Sequence, residues 1–335
     1  MQVELLLSIE SRSLKKKEVP PMPTVVLILA ALALAAAILS IIIAWKVADQ
    51  ILHPRVYAYD TVVDEEVRRG HFTWEWFDTN VRLEEFTLRS DFGYDLHAAI
   101  WPRKETVSFP DRKRRVAVLV HGYNYCLLGQ IKYASIFHEL GFDCVLYDHR
   151  NHGLSGKAAT TMGLYESKDL ATVCAWARER YGEDAVLGTL GESMGAATVM
   201  LHAKEDRHLA FAVEDCGFSD FYELMRFVLP KRFHLPAFPI LQLMDLFFIL
   251  REGISLKELR PADALNDCAH VPMLFVHGGS DELIPVWMMQ ACYSAKAGEK
   301  ESWFVQNAKH ADSYRADPEG YREHLTAFLK NHAIL

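Results

Sequence analysis

Between Thr24 and Trp45 the chain carries 22 residues without a charge, and only Thr24 and Ser40 are polar. As a helix this run rises about 33 Å, enough to cross a hydrocarbon core of about 30 Å. Trp45 and Lys46 place an interfacial ring and a cation at its end. The run is longer than a leader's h-region, and no small-x-small site follows it in a polar context. It therefore predicts a retained single-pass anchor. Residues 1–23 read as a short tail. Residues 46–82 are charged and aromatic and read as a stalk with a short helix over Thr61–Arg69.

From Glu84 the pattern changes. Two segments of strand character, Glu85–Arg89 and Leu96–Trp101, flank Asp91-Phe92-Gly93-Tyr94 and predict an antiparallel hairpin. Six apolar runs of buried-strand type follow: Arg115–Val120, Phe142–Tyr147, Ala185–Leu190, Phe211–Glu214, Met273–His277 and Trp303–Gln306. They alternate with helical segments at Gln130–Leu140, Leu164–Tyr181, Met194–Lys204, Val286–Ala297 and Pro318–Asn331. The alternation predicts an α/β domain over residues 83–335, with a mostly parallel eight-stranded sheet and helices on both faces.

Composition is that of a folded protein, with half the residues hydrophobic and a quarter charged. A net charge of -8 gives no support to a nucleic-acid partner. The six cysteines (126, 144, 174, 216, 268 and 292) form no metal-ligand spacing, and several fall inside expected strands or helices as small hydrophobes. No metal or cofactor is called for. Arg12, Lys15, Lys16 and Lys17 precede the apolar run, whereas only Lys46 and Arg55 follow it closely. The positive-inside rule then sets the large domain on the extracytoplasmic side.

Ligands of such sheets bind beyond the carboxyl ends of the strands, so the chemistry is sought there. Arg115–Val120 ends in His121-Gly122-Tyr123-Asn124, where His121 reads as a structural hydrogen-bonder. Phe142–Tyr147 ends in the charged loop Asp148–Ser155, expected at the rim in a structural role. Ala185–Leu190 runs into Gly191-Glu192-Ser193-Met194-Gly195 ahead of a helix. Gly-x-Ser-x-Gly between strand and helix is a nucleophile elbow, in which small residues permit a tight turn that exposes the serine. Asp281 follows the strand Met273–His277, and His310 follows the last strand. Ser193, Asp281 and His310 thus occupy three strand-end loops in the order Ser, Asp, His. Glu192 and Asp312 read as rim carboxylates, and His149, His152 and His277 lie near strand ends but do not follow the last strand.

From about Glu84 to Leu329 the chain resembles the α/β-hydrolase superfamily, particularly its lysophospholipase and serine-aminopeptidase-like branch. The matching segments are His121-Gly122, Asp148–Ser155, Gly191–Gly195, Gly278–Pro285 and His310-Ala311. The resemblance implies a helical cap inserted after the sixth strand, for which about 220–267 fits. It also favours Asp281, four before Pro285, over Glu282. The implied chemistry is attack by Ser193 with His310 as base and Asp281 orienting it, the oxyanion being held by the amide of Met194 and, by resemblance, that of Tyr123.

The expectation is a membrane-anchored serine hydrolase that cleaves a carboxylic ester through an acyl-enzyme, with a small acyl ester or lipid as substrate. A peptidase or amidase remains the alternative within the class, since the cap offers Asp220, Glu223 and Asp245 to a terminal amine. A catalytically silent scaffold is the alternative outside it. Haloalkane and epoxide hydrolysis normally use an aspartate nucleophile at the elbow, where this chain has Ser193.

Overall fold

The computed structural model describes residues 23–104 and 106–335. The basic residues 12 and 15–17, on which the expected orientation rests, lie outside the described residues. The chain divides into two compact units, residues 1–43 and 44–335. Helix α1 (Thr24–Leu52) begins in the first, where its apolar side chains are exposed, and is the one helix among the described residues long and apolar enough to cross a membrane. It outruns the expected span by seven residues, and its last nine belong to the second unit.

That unit is built on an eight-stranded sheet in the order β1-β2-β4-β3-β5-β6-β7-β8. The strands are β1 (Glu84–Arg89), β2 (Asp95–Trp101), β3 (Arg115–Val120), β4 (Asp143–Tyr147), β5 (Val186–Glu192), β6 (Phe211–Asp215), β7 (Met273–Gly278) and β8 (Lys300–Val305). β2 runs antiparallel to β1 and β4, and every other pairing is parallel. Alternation within the apolar runs fills two cores. Ala117 and Leu119 of β3 face one side, and Val116, Val118 and Val120 face the other. Helices α4 (Ile131–Glu139) and α11 (Pro318–Asn331) cover the first face. Helices α5 (Glu166–Tyr181), α6 (Met194–Glu205) and α10 (Val286–Ala295) cover the second.

Residues 46–82 are not a stalk. Helices α2 (Tyr59–Arg68) and α3 (Trp74–Asn80) lie within the second unit, and Val62, Val63 and Glu66 are buried. Asp60, Asp64, Glu65 and Arg68 give α2 the look of a solvated segment, but its other face packs on the sheet core. The last strand also differs, starting three residues before the expected Trp303. It is an edge strand with alternating exposure, so Lys300, Glu301 and Ser302 do not read as a buried run.

The insertion after β6 holds α7 (Phe221–Arg232) and α8 (Ala237–Glu252), while the short α9 (Pro261–Leu265) returns to pack against α6 and α10. Asp220 starts α7 by accepting the Glu223 N–H at 3.0 Å. α8 buries Ile240, Leu241, Met244 and Phe248 and leaves Leu246, Ile249 and Leu250 exposed.

Candidate active site

The turn from β5 into α6 holds Ser193 at φ 58° and ψ -113°, a conformation that strains any residue with a Cβ. Its neighbours explain how the chain tolerates it. A Cβ on Gly191 would stand 2.2 Å from the Gly195 carbonyl oxygen, and one on Gly195 would stand 2.1 Å from that of Val120. Only glycine at both positions lets β5, α6 and the end of β3 close this tightly. The Ser193 N–H donates to the Asp215 carbonyl at 2.8 Å, which fixes the turn to β6.

Ser193, His310 and Asp281 come together. Ser193 Oγ is 2.9 Å from His310 Nε2, and His310 Nδ1 is 2.7 Å from Asp281 Oδ2. The other oxygen of Asp281 accepts the N–H groups of Leu283 and Ile284 at 2.9 and 2.8 Å, which locks the carboxylate in its loop. With Nδ1 donating to Asp281, Nε2 is left free to accept the serine proton. Glu282 is exposed and takes no part in this chain of bonds. His277 lies 3.6 Å from Asp281 but spends its Nε2–H on the Ile284 carbonyl at 2.8 Å, and burial lowers its basicity.

β3 pairs Val120 with Gly191, so His121-Gly122-Tyr123 leaves the sheet beside the serine. Among the described residues neither the Tyr123 nor the Met194 N–H has a protein acceptor, and Met194 is the first residue of α6, where helical amides are unpaired. A built scaffold holds the Tyr123 loop. His152 Nε2 accepts the Asn124 N–H at 3.1 Å, and His121 Nε2 accepts the His149 N–H at 3.0 Å. Burial lowers the basicity of all three imidazoles and keeps them neutral.

The Asp148–Ser155 loop was expected at the rim but is almost wholly buried, with Leu154 exposed. Asp148 accepts the N–H groups of Leu127 and Leu154 and the Tyr59 hydroxyl, and lies 3.2 Å from His97. Burial opposes its charge, but the bond from His97 and these other donors outweigh it and hold the carboxyl below the usual range. A charged loop can be interior when every charge is met.

Glu192 and Asp312 are likewise buried rather than at the rim. Glu192 lies 2.8 Å from the ammonium of the fully buried Lys132 and accepts the Tyr133 hydroxyl at 2.7 Å. Lys132 also lies 3.5 Å from Glu66. Burial disfavours its charge, yet the two carboxylates more than offset this and raise its pKa above the ordinary lysine value. Asp312 is brought down to about 2 by Arg315, against partial burial and with help from Arg69. Arg69 also donates to the Ala311 carbonyl, next to His310. Glu66, Arg69 and Lys132 went unnoticed in the sequence, because nothing in their spacing distinguishes them from a solvated charged helix.

A cavity of about 440 Å³ opens over Ser193 and His310, within the size range of small-molecule sites. Its walls include Gly122 and Tyr123, the cap residues Phe221, Leu224, Met225 and Val228, and Val47 and Ile51 of α1. Cys216 Sγ lies within 4.8 Å of the ligand atoms of Asp281 and His310, but burial pushes its thiol far up and His310 is already engaged. All six cysteines are buried and unpaired.

The profile of the alpha/beta hydrolase fold matches residues 116–216. The uncharacterized protein YqkD of Bacillus subtilis strain 168 is 31% identical over 312 residues, covering 91% of this chain and 97% of its own. Among solved structures, the Pyrococcus furiosus esterase Pf2001 superposes with a TM-score of 0.61 at 19% identity, over 78% of this chain and 95% of that one. Est1E of Butyrivibrio proteoclasticus, solved with ferulic acid bound, gives a TM-score of 0.58 at 18% identity, over 75% of this chain and all of its own. The profile and the strand order agree, and the chain belongs to the alpha/beta hydrolase fold family.

Proposed function

We propose that this protein is a membrane-anchored serine hydrolase that cleaves carboxylic esters of apolar acyl groups. The observation that carries the reading is the bonded series Ser193–His310–Asp281, whose Ser193 and His310 line a largely apolar cavity. Ser193 Oγ attacks the ester carbonyl and passes its proton to His310 Nε2. Asp281 keeps Nδ1 protonated and stabilises the imidazolium. The oxyanion takes the free amides of Met194 and Tyr123, each such donor being worth about 3 to 4 kcal/mol. His310 returns the proton to the departing alcohol, and water releases the acyl group by the same route in reverse.

Ester chemistry is favoured over the aminopeptidase alternative by where the cap's carboxylates go. Asp220 pairs with Arg260, Glu223 with Arg226, and Asp245 accepts from Ser255 and Leu256; none lines the cavity. A scaffold without activity would have no need to hold Ser193 strained against an oriented imidazole. The esterase among the similar folds supports the same class. Anchoring rests on the length and apolarity of α1, and an extracytoplasmic domain rests on the basic residues that precede it.

The test is turnover of p-nitrophenyl butyrate and of a micellar monoacylglycerol by wild type and Ser193→Ala. Hydrolysis by wild type and none by the folded variant supports the reading; equal rates overturn it.

A further inference from the structure

A helix that served only as a tether would have no business in the substrate cavity, yet the end of α1 is built into it. Ala44, Ala48 and Leu52, spaced by four residues along one face, are fully buried. The neighbouring face presents Val47, Gln50 and Ile51 to the cavity. Leu224, Met225 and Val228 of the cap helix α7 line the same cavity, so its apolar wall is shared by α1 and the cap.

The helix end is also tied down by its own carbonyls, which lack intrahelical partners there. The Gln50 carbonyl accepts the Tyr123 hydroxyl at 2.5 Å, and the Leu52 carbonyl accepts the Thr160 N–H at 2.9 Å and the Asn151 side-chain amide at 3.3 Å. Asp49 pairs with Arg251 of α8 at 2.8 Å, and the Trp45 ring meets Phe247 edge-on at 5.2 Å. The wall is therefore fixed on one side to the loop carrying Tyr123 and on the other to the cap.

We propose that the last two turns of α1 are a specificity-determining wall of the acyl site, with Val47 and Ile51 packing along an unbranched acyl chain held between α1 and α7. The proposal rests on the ester-hydrolase reading above and deepens it: the substrate is an ester of a medium or long acyl chain, and the apolar helix is part of the active site. Removal of that helix as a leader would dismantle the wall.

The test uses the full-length protein in detergent micelles, with activity normalised to the fraction labelled by a fluorophosphonate. Esters of four, eight, twelve and sixteen carbons give the chain-length profile as kcat/KM. Val47→Trp and Ile51→Trp shorten the space and lower the twelve-to-four-carbon ratio by about tenfold or more. Ile51→Ala lengthens it and raises the sixteen-to-eight-carbon ratio several-fold, which decides the matter if the tryptophan variants fail to fold. Lys46→Ala, exposed on the same helix and outside the cavity, keeps the wild-type profile. Labelled variants at positions 47 and 51 with the wild-type profile overturn this proposal alone. A folded wild type that neither labels nor hydrolyses any ester overturns the hydrolase reading beneath it.

Discussion

Lys132→Met removes the cation that, among the described residues, makes the 2.8 Å ion pair with Glu192, the residue peptide-linked to Ser193, while keeping most of the buried stem. At an effective dielectric of about 20, the attraction across 2.8 Å to Glu192 is about 6 kcal/mol and that across 3.5 Å to Glu66 is about 5 kcal/mol. Most of this offsets the cost of taking the three charges out of water, so the sum is no measure of stability. What the variant leaves behind matters more. Glu66 keeps His71 at 2.7 Å and Arg69 at 4.0 Å, whereas Glu192 keeps the Tyr133 hydroxyl and the longer-range attraction of Arg69 but no paired cation within 4 Å among the described residues. Breaking a buried pair in this way costs about 3 to 5 kcal/mol, and a single carboxylate left without its paired cation places the loss at about 3 kcal/mol. For a domain of this size that corresponds to a fall in Tm of roughly 6 to 12 °C. Urea unfolding of the detergent-solubilised protein at pH 7, followed by tryptophan fluorescence, reads it directly. Adding Glu192→Gln removes the stranded charge, so the double variant is more stable than Lys132→Met alone. A loss below about 1 kcal/mol, or a double variant no better than the single, refutes the account of this ion pair.

Three further outcomes follow from the same geometry. Asp281→Asn, which favours the wrong His310 tautomer, lowers kcat by about 10³ to 10⁴, while Glu282→Gln stays within about twofold of wild type; ester turnover measures both. Gly195→Ala drives a Cβ into the Val120 carbonyl and abolishes activity together with the native elbow, visible as lost turnover and a lowered Tm. Burial pushes the Glu214 carboxyl up to about 8, so between about pH 4.5 and 8 the folded state holds a proton that the unfolded state releases. Stability then falls as pH rises through that window, by up to about 1.4 kcal/mol per unit from this group, and Glu214→Gln flattens the slope in unfolding curves taken from pH 5 to 8.

The buried strands and the residues at their ends were legible because their signals are local. β3 and β7 read as continuous apolar runs since both faces are covered. The elbow carries its own pattern, because the close approach of Gly195 to Val120 admits nothing larger than glycine. What escaped notice depends on partners far along the chain. Asp148 is buried because Tyr59, His97 and the amides of Leu127 and Leu154 converge on it, and no window around residue 148 contains the first three. The same holds for Glu66 and Lys132, and for Val47 and Ile51, which read as the end of an anchor and form a cavity wall only once the cap is folded. Charge marked residues 46–82 as a stalk, whereas α2 packs through a short face of Tyr59, Val62, Val63, Glu66 and Val67.

The most direct measurement is fluorophosphonate labelling of the full-length protein, with the modified peptide identified by mass spectrometry. The account predicts one adduct per chain, on Ser193, lost in Ser193→Ala and strongly slowed in His310→Ala. A folded protein that takes no label, or one labelled on a different residue, contradicts it.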